Sequence, residues 1–279
     1  MNIFKQVIRL LRAGSTTDGY YESMNYALKE LNDEFTMLHY PFFRNKEESF
    51  YQSQINLTDF CLCQLDSLKG KRILEIGCGN GIQSMYICEK HQPAEMTAID
   101  LNVANIGIAD EIRKSKAINN LTFQVDDAQS LQKIKNNTYD IVINIESAFH
   151  YENKNAFLQQ IKRILKPGGQ FLIADILTTK KPATSLRKFW KRRMILHHWN
   201  EEEYVRAFRK EKLFLDKHHD ITTSVIEGFR NYKSWLKNMQ KKPFLNRLVL
   251  KLFYVINIRL NIFLLRTKRR YLVYVGTNL

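Results

Sequence analysis

Little in this 279-residue chain is suited to covalent cross-linking or repetitive structure. It has four cysteines, Cys61, Cys63, Cys78 and Cys88, too few for a disulfide scaffold of this size. Cys61 and Cys63 form a C-x-C pair with no histidine nearby, which argues against a zinc site and predicts no metal. Reduced thiols in a cytosolic protein are the plainer reading. Five prolines and eleven glycines exclude collagen-like and low-complexity chains. Long apolar runs are missing too. The opening MNIFKQVIRLLRAG sets Lys5, Arg9 and Arg12 among its apolar residues, whereas a secretory signal has an uninterrupted apolar core. The most apolar stretch, Leu248 to Leu265, is broken by Lys251, Asn257, Arg259 and Asn261. That argues against a bilayer span, which needs about 20 predominantly apolar residues.

Acidic residues are scarce in one region. Residues 1–179 carry 19 Lys and Arg against 21 Asp and Glu, a net charge of −2. Residues 180–279 carry 24 against 7, a net charge of +17. The basic character therefore belongs to the last third alone. It points to an anionic partner, lipid or nucleic acid, with a merely solvated basic face as the rival reading.

What is present is enough for a sizeable core, since 44% of residues are hydrophobic and 12% aromatic. Residues 3–12 read as a short amphipathic helix, and 20–66 as mostly helical with a break at Tyr40-Pro41. An alternating pattern follows. Strands are expected at Arg72–Ile76, Met96–Asp100, Leu121–Val125, Ile141–Ile145 and Gln170–Ile176. Helices are expected near 82–88, 103–115 and 156–165, the last ended by Lys166-Pro167-Gly168-Gly169. This predicts an α/β fold, a parallel sheet covered on both faces. Beyond residue 177 come a basic helical segment at 183–210 and a strand-like run at 213–221. Helices near 224–239 and 244–265 and a closing strand at 270–275 complete the chain.

The sharpest motif is Leu74-Glu75-Ile76-Gly77-Cys78-Gly79-Asn80-Gly81. A strand runs into glycines that permit a tight turn and close ligand approach at the carboxyl edge of the sheet. The spacing is G-x-G-x-G, not that of dinucleotide binders, and the P-loop lysine is absent. Acids surround the turn: Glu75 before it, Asp100 at the end of the second strand, Asp127 after the third. They oppose a pyrophosphate and suit a nucleoside bearing cations. S-adenosylmethionine has that make-up.

Five pieces in order, ILEIGCGNG, AIDLN, VDDA, YDIVINIESAFHY and LKPGGQFLIAD, resemble the class I S-adenosylmethionine-dependent methyltransferases over residues 50–178. The resemblance implies a doubly wound, mostly parallel seven-stranded sheet with an N-terminal helical lid. It divides the chain into 1–66, lid; 67–178, cofactor-binding core; and 179–279, basic helical excursions and closing edge strands of the same domain. It places Glu75, Gly77 and Gly79 at the methionine end, with Cys78 and Gly81 in the same turn. Asp100 would hold the ribose with Leu101 beside the adenine. Asp127 would meet the adenine amino group with Ala128 adjacent, and Ile145 would supply backbone near the sulfonium. The product would be S-adenosylhomocysteine.

The acceptor is expected from the stretch after the fourth strand. It lacks the N/D-P-P-Y type of motif of amino methylases and carries Phe149-His150-Tyr151. This resembles small-molecule and lipid methyltransferases. RLLRAGST, INLTDF and IDLN also resemble lipid and polyketide O-methyltransferases of the phthiotriol dimycocerosate type. The resemblance implies His150 as general base, oriented by Asp175. His39, Tyr40, Phe42 and Phe149 are expected to offer aromatic surface to an apolar acceptor. His197, His198, His218 and His219 read as surface residues in basic surroundings. The function expected is O-methylation of a hydroxylated lipid, quinone or polyketide-like compound. RNA methylation and a catalytically silent adaptor are the alternatives, and nucleic acid is disfavoured. The place expected is the cytoplasm, at the inner face of an anionic membrane. There Leu248, Leu252, Val255, Ile256, Leu260 and Phe263 would insert, flanked by Lys241, Lys242, Arg266, Lys268, Arg269 and Arg270.

Overall fold

The computed structural model describes residues 17–179, 196–238 and 245–279. The expected helix at 3–12, residues 183–195, Lys241 and Lys242 lie outside the described residues. In chain order the elements are α1 (Thr17–Asn32), α2 (Phe50–Leu62), β1 (Arg72–Ile76), α3 (Ile82–His91), β2 (Glu95–Asp100), α4 (Val103–Ser115), β3 (Leu121–Val125) and β4 (Tyr139–Ile145). A 3₁₀ turn (Ala148–His150) follows, then α5 (Lys154–Ile164), β5 (Leu165–Thr178), α6 (Glu201–Lys210), β6 (Leu213–Asp220), α7 (Thr222–Asn238), α8 (Leu245–Thr267) and β7 (Arg269–Asn278).

Seven strands form one sheet in the order β3-β2-β1-β4-β5-β7-β6. The first five are parallel, and β7 runs antiparallel to both β5 and β6. The central strands are apolar because both faces are covered. Ile73, Ile141, Ile143, Leu172 and Val273 pack with α1, α2, α3, α7 and α8 on one side. Leu74, Ile76, Val142, Ile173 and Leu272 pack with α5 and α6 on the other. The edge strand β6, LFLDKHHD, is charged and largely exposed, which discourages pairing with another sheet.

Local signals fix the helix starts. The side chains of Ser49, Asn102, Asn153 and Asn200 cap α2, α4, α5 and α6. Asn200 and Glu203 complete a reciprocal capping box. One boundary differs from expectation. Lys166-Pro167-Gly168-Gly169 does more than end a helix, because β5 already begins at Leu165, paired with Tyr139. Gly168 has φ 75°, and the segment loops out before Gln170 rejoins the ladder opposite Ile141.

The late helices α7 and α8 lie in the chain between β6, an edge strand, and β7, which is inserted between β5 and β6. α8 packs on α7, β7 and α1. Its segment Leu248–Thr267 has a mean hydropathy of 1.9. By length and composition it could cross a membrane, contrary to what its polar interruptions suggest, although core helices of soluble proteins can match this profile. Here its inner face, with Leu250, Ile258 and Leu265, is buried in the domain.

Candidate functional site

The chain leaves β1 towards β2 and β4 towards β5, in opposite directions across the sheet. A crevice opens beyond the carboxyl ends of such a strand pair. Two loops occupy it, the turn at 77–81 after β1 and the segment 146–151 after β4.

The first loop is shaped by glycine. Gly77, Gly79 and Gly81 have φ values of 77°, 54° and 74°. The Gly77 and Cys78 amides both donate to the Ile99 carbonyl, at 2.8 and 2.9 Å. A Cβ on Gly77 would collide with the Ser147 hydroxyl, and one on Gly79 would stand 2.9 Å from Leu38 Cδ1. Two conditions, positive φ and lack of room, thus demand glycine here.

The acids take different roles. Asp100 ends β2, and its two carboxylate oxygens accept from the Gly79 amide (2.9 Å) and the Asn102 amide (2.8 Å). Beside it Leu101 is 66% exposed, an apolar shelf of the kind an adenine ring covers. Asp127 Oδ1 accepts from the Gln129 amide at 2.9 Å, and Ala128 is buried next to it. Glu75 is 1% exposed and accepts from Gln83 Nε2 (2.6 Å) and Ser84 Oγ (2.5 Å). Burial pushes its carboxyl up to about 7 against those two hydrogen bonds, with the charge of Asp100 adding to the rise. It braces the start of α3 beneath the turn. A glycine cradle, a strand-end acid and an open apolar shelf fit a nucleoside cofactor without phosphates, such as S-adenosylmethionine.

The second loop begins at Ile145, which is buried. Before it, Asn144 Nδ2 donates to the Ile76 carbonyl (2.9 Å) and to Ser147 Oγ (2.6 Å), tying the two loops together. Glu146 has φ 53°, unusual for a side-chain-bearing residue and a common mark of a functional loop. Its Oε1 accepts from the Tyr40 amide at 2.7 Å. Burial pushes Glu146 up to about 8, the Tyr40 amide opposes this, and Asp175 adds to it.

His150 closes this loop with Nε2 2.7 Å from the Tyr21 hydroxyl of α1, the two rings meeting edge to face at 5.5 Å. Burial raises Tyr21 well above the ordinary phenol value, so its hydroxyl keeps its proton. The imidazole tautomer sets which of the two donates. Met24, Ala27, Leu28 and Leu31 give α1 its core-facing stripe. Polar residues latch it over the site. Asn80 Nδ2 donates to Asn25 Oδ1 and to the Thr36 carbonyl, both at 2.8 Å, and Asn25 Nδ2 donates to Asn105 Oδ1 at 2.8 Å.

Asp175 is fully buried, and the contacts of its carboxylate differ from those expected. It accepts from Tyr204 OH (2.6 Å) and from the Ile176 amide (2.9 Å), with the Phe149 amide also directed at it. It therefore secures the backbone that carries His150, where orientation of the imidazole was expected. His198 is another correction. Its ring stacks on Phe149 at 5.6 Å and its Nδ1 lies 2.6 Å from the Ile176 carbonyl. Burial lowers it to about 3, so it is neutral, and its buried Nε2 has no hydrogen-bond partner among the described residues. His218 is exposed, as the surface reading requires.

The strap at 36–43 forms no helix or strand, bends at Leu38 and His39, and alternates in burial from Met37 to Phe43. Met37, His39, Pro41 and Phe43 point into the core, while Leu38, Tyr40 and Phe42 are half-buried. His39 bonds Thr58 at 3.2 Å and is lowered to about 4 by burial, and Phe42 stacks on Phe60. Of the four expected acceptor residues, the structure brings Tyr40 to Glu146 and Phe149 to His150. It places His39 and Phe42 against α2. Tyr21 and Glu146 were not singled out by the sequence, and His198 reads there as a surface residue, because each joins the site through partners far away in the chain.

The fold and site together define a class I methyltransferase architecture. Residues 67–239 match the family model described as a methyltransferase domain, and the chain belongs to that family. It is 36% identical over 130 residues to a phthiotriol/phenolphthiotriol dimycocerosates methyltransferase of Mycobacterium leprae, covering 47% of this chain and 46% of the relative. It is 38% identical over 108 residues to a fatty-acid O-methyltransferase of Mycolicibacterium smegmatis, covering 39% and 38%. The matches therefore span about half the length of these relatives or less. Among solved structures, Haemonchus contortus phosphoethanolamine N-methyltransferase 2 superposes with a TM-score of 0.77 at 17% identity, over 92% of this chain and 57% of that one. The [4+2]-cyclase SpnF does so at 0.74 and 16%, over 94% and 96%. At such identities the likeness concerns the fold alone.

Proposed function

We propose that this chain moves the methyl group of S-adenosylmethionine to an oxygen of a hydroxylated lipid, quinone or polyketide-like compound. The observation that carries the reading is Nε2 of His150, 2.7 Å from Tyr21 OH, in the loop whose Ser147 and Tyr151 abut Gly77. The cofactor supplies an electrophilic methyl group whose sulfur leaves as a neutral thioether. The residues then need only to position the acceptor and take its proton. An acceptor hydroxyl that displaces the Tyr21 hydroxyl would donate to the same nitrogen. Tyr20, Tyr21, Tyr40 and Phe149 give this region an aromatic wall suited to an apolar acceptor. The names of the two mycobacterial relatives support a lipid class. An acceptor of that kind partitions into bilayers, so the place of action we infer is the cytoplasmic face of a membrane.

The test is incubation with methyl-labelled cofactor and lipid extract, followed by mass spectrometry. Label is expected in a hydroxyl-bearing lipid. His150→Ala should cut turnover by about 10²–10⁴ with cofactor affinity little changed. Label confined to RNA, or wild-type turnover in the variant, would overturn the reading.

A further inference from the structure

We infer that the outer face of α8 is a docking surface for an anionic lipid bilayer. The inference is independent of which acceptor is methylated. Six large apolar side chains of this helix stand in solvent: Leu248, Leu252, Phe253, Ile256, Leu260 and Phe263, between 39% and 66% exposed. Leu248, Leu252, Ile256, Leu260 and Phe263 recur every three or four residues and so form one stripe. Leu250, Ile258 and Leu265 face the other way, into the core. A soluble domain rarely leaves such a patch unused.

Charge selects the occupant. Residues 228–279 contain twelve Lys and Arg and no Asp or Glu. Arg259, Arg266 and Lys268 are exposed on or just after α8. A second copy packed stripe to stripe would set these cations near one another, with no acid in the segment to relieve them. An anionic leaflet supplies both what the stripe lacks, an apolar cover, and what the cations lack, negative charge. Arg270 is not part of this surface, because Asp220 and Glu201 hold it at 2.7 Å each.

The inner face explains why docking is useful. Asn261 of α8 accepts from the Tyr40 hydroxyl at 2.9 Å, and the Tyr40 amide donates to Glu146 in the loop that carries His150. One helix, about 10 Å across, therefore separates the lipid-facing stripe from the site. Its inner contacts also mean that α8 lies in the interface without crossing the bilayer.

The test is flotation of the full chain with vesicles of phosphatidylcholine alone or with added phosphatidylglycerol. Binding is expected with the anionic vesicles and is lost as salt rises towards about 1 M, where charge interactions reach only about 3 Å. The triple variant Leu252→Asn, Ile256→Asn, Leu260→Asn should bind at least tenfold more weakly with unchanged thermal unfolding, since all three side chains are already exposed. Arg259→Gln with Arg266→Gln and Lys268→Gln should lose the preference for anionic lipid. Wild-type protein left unbound at low salt, equal binding by the triple variant, or a soluble dimer dispersed by that variant would overturn the inference. So would membrane association that resists salt and alkaline carbonate, which would indicate a spanning helix.

Discussion

Replacing Glu146 by Gln should stabilise the protein at alkaline pH and leave it nearly unchanged at acid pH. Glu146 is 9% exposed, and burial pushes its carboxyl from 4.5 to about 8 in the folded state. The folded protein therefore holds a proton that the unfolded chain gives up. Stability from this group is fully present below pH 4.5 and is lost as pH rises through about 8. At 1.36 kcal/mol per pKa unit, the loss by pH 8.5 is roughly 3–5 kcal/mol. Gln keeps an oxygen for the Tyr40 amide and removes the titration. Total stabilities of about 5–15 kcal/mol make a change of this size easy to resolve. Urea unfolding of both proteins from pH 5 to pH 9 measures it. Glu75, pushed up to about 7, adds a slope of the same sign that cancels in the comparison. A gap between the two proteins that stays constant across this range would refute the assignment of a buried, protonated Glu146.

Asp100→Ala should weaken S-adenosylmethionine binding by tenfold or more, about 1.4 kcal/mol by calorimetry. It should also lower the melting temperature, because the Gly79 and Asn102 amides lose their acceptor. Tyr21→Phe should leave turnover within about tenfold of wild type, far milder than His150→Ala, if the tyrosine only occupies the base until the acceptor arrives. Asn80→Ala should cost roughly 2–4 kcal/mol, because Asn25 Oδ1 and the Thr36 carbonyl lose a buried donor. It should also speed amide exchange in α1, and unchanged exchange there would show that the latch does not hold this helix.

The sheet was legible because its signals are local. The run Ile141–Ile145 must be buried on both faces, and the glycines after Ile76 must end a strand. β1, α4 and β3 fall at the expected residues, and most other ends within a few. β5 departs most, because Pro and Gly in Lys166–Gly169 read as a stop although Leu165 already pairs with Tyr139. Backbone pairing across a looped-out segment leaves no periodic trace. The strap at 36–43 shows a similar limit. Its aromatics attract notice as a group, but burial alternates along it, with His39 and Phe43 buried and Tyr40 and Phe42 half-buried. His39 turns to Thr58 of α2, while the Tyr40 amide meets Glu146.

The candidate cofactor side was placed by spacing, since Gly77, Asp100 and Asp127 stand at or just after the ends of recognisable strands. The acceptor side was not. Tyr21 and His150 are 129 residues apart, and Asn25 and Asn80 are 55 apart. Each contact depends on α1 being laid across the sheet edge, and its amphipathic stripe specifies only that it packs somewhere. The charge of the last third has the same character. Composition alone cannot distinguish Arg270, locked to Asp220 and Glu201, from Arg259, exposed beside an apolar stripe. The distinction matters because the acids that restrain Arg270 come from before Glu227, and no acid follows that residue. A segment so depleted of negative charge can complete its electrostatics only with what lies outside it. On α8 the outward direction is also the apolar one.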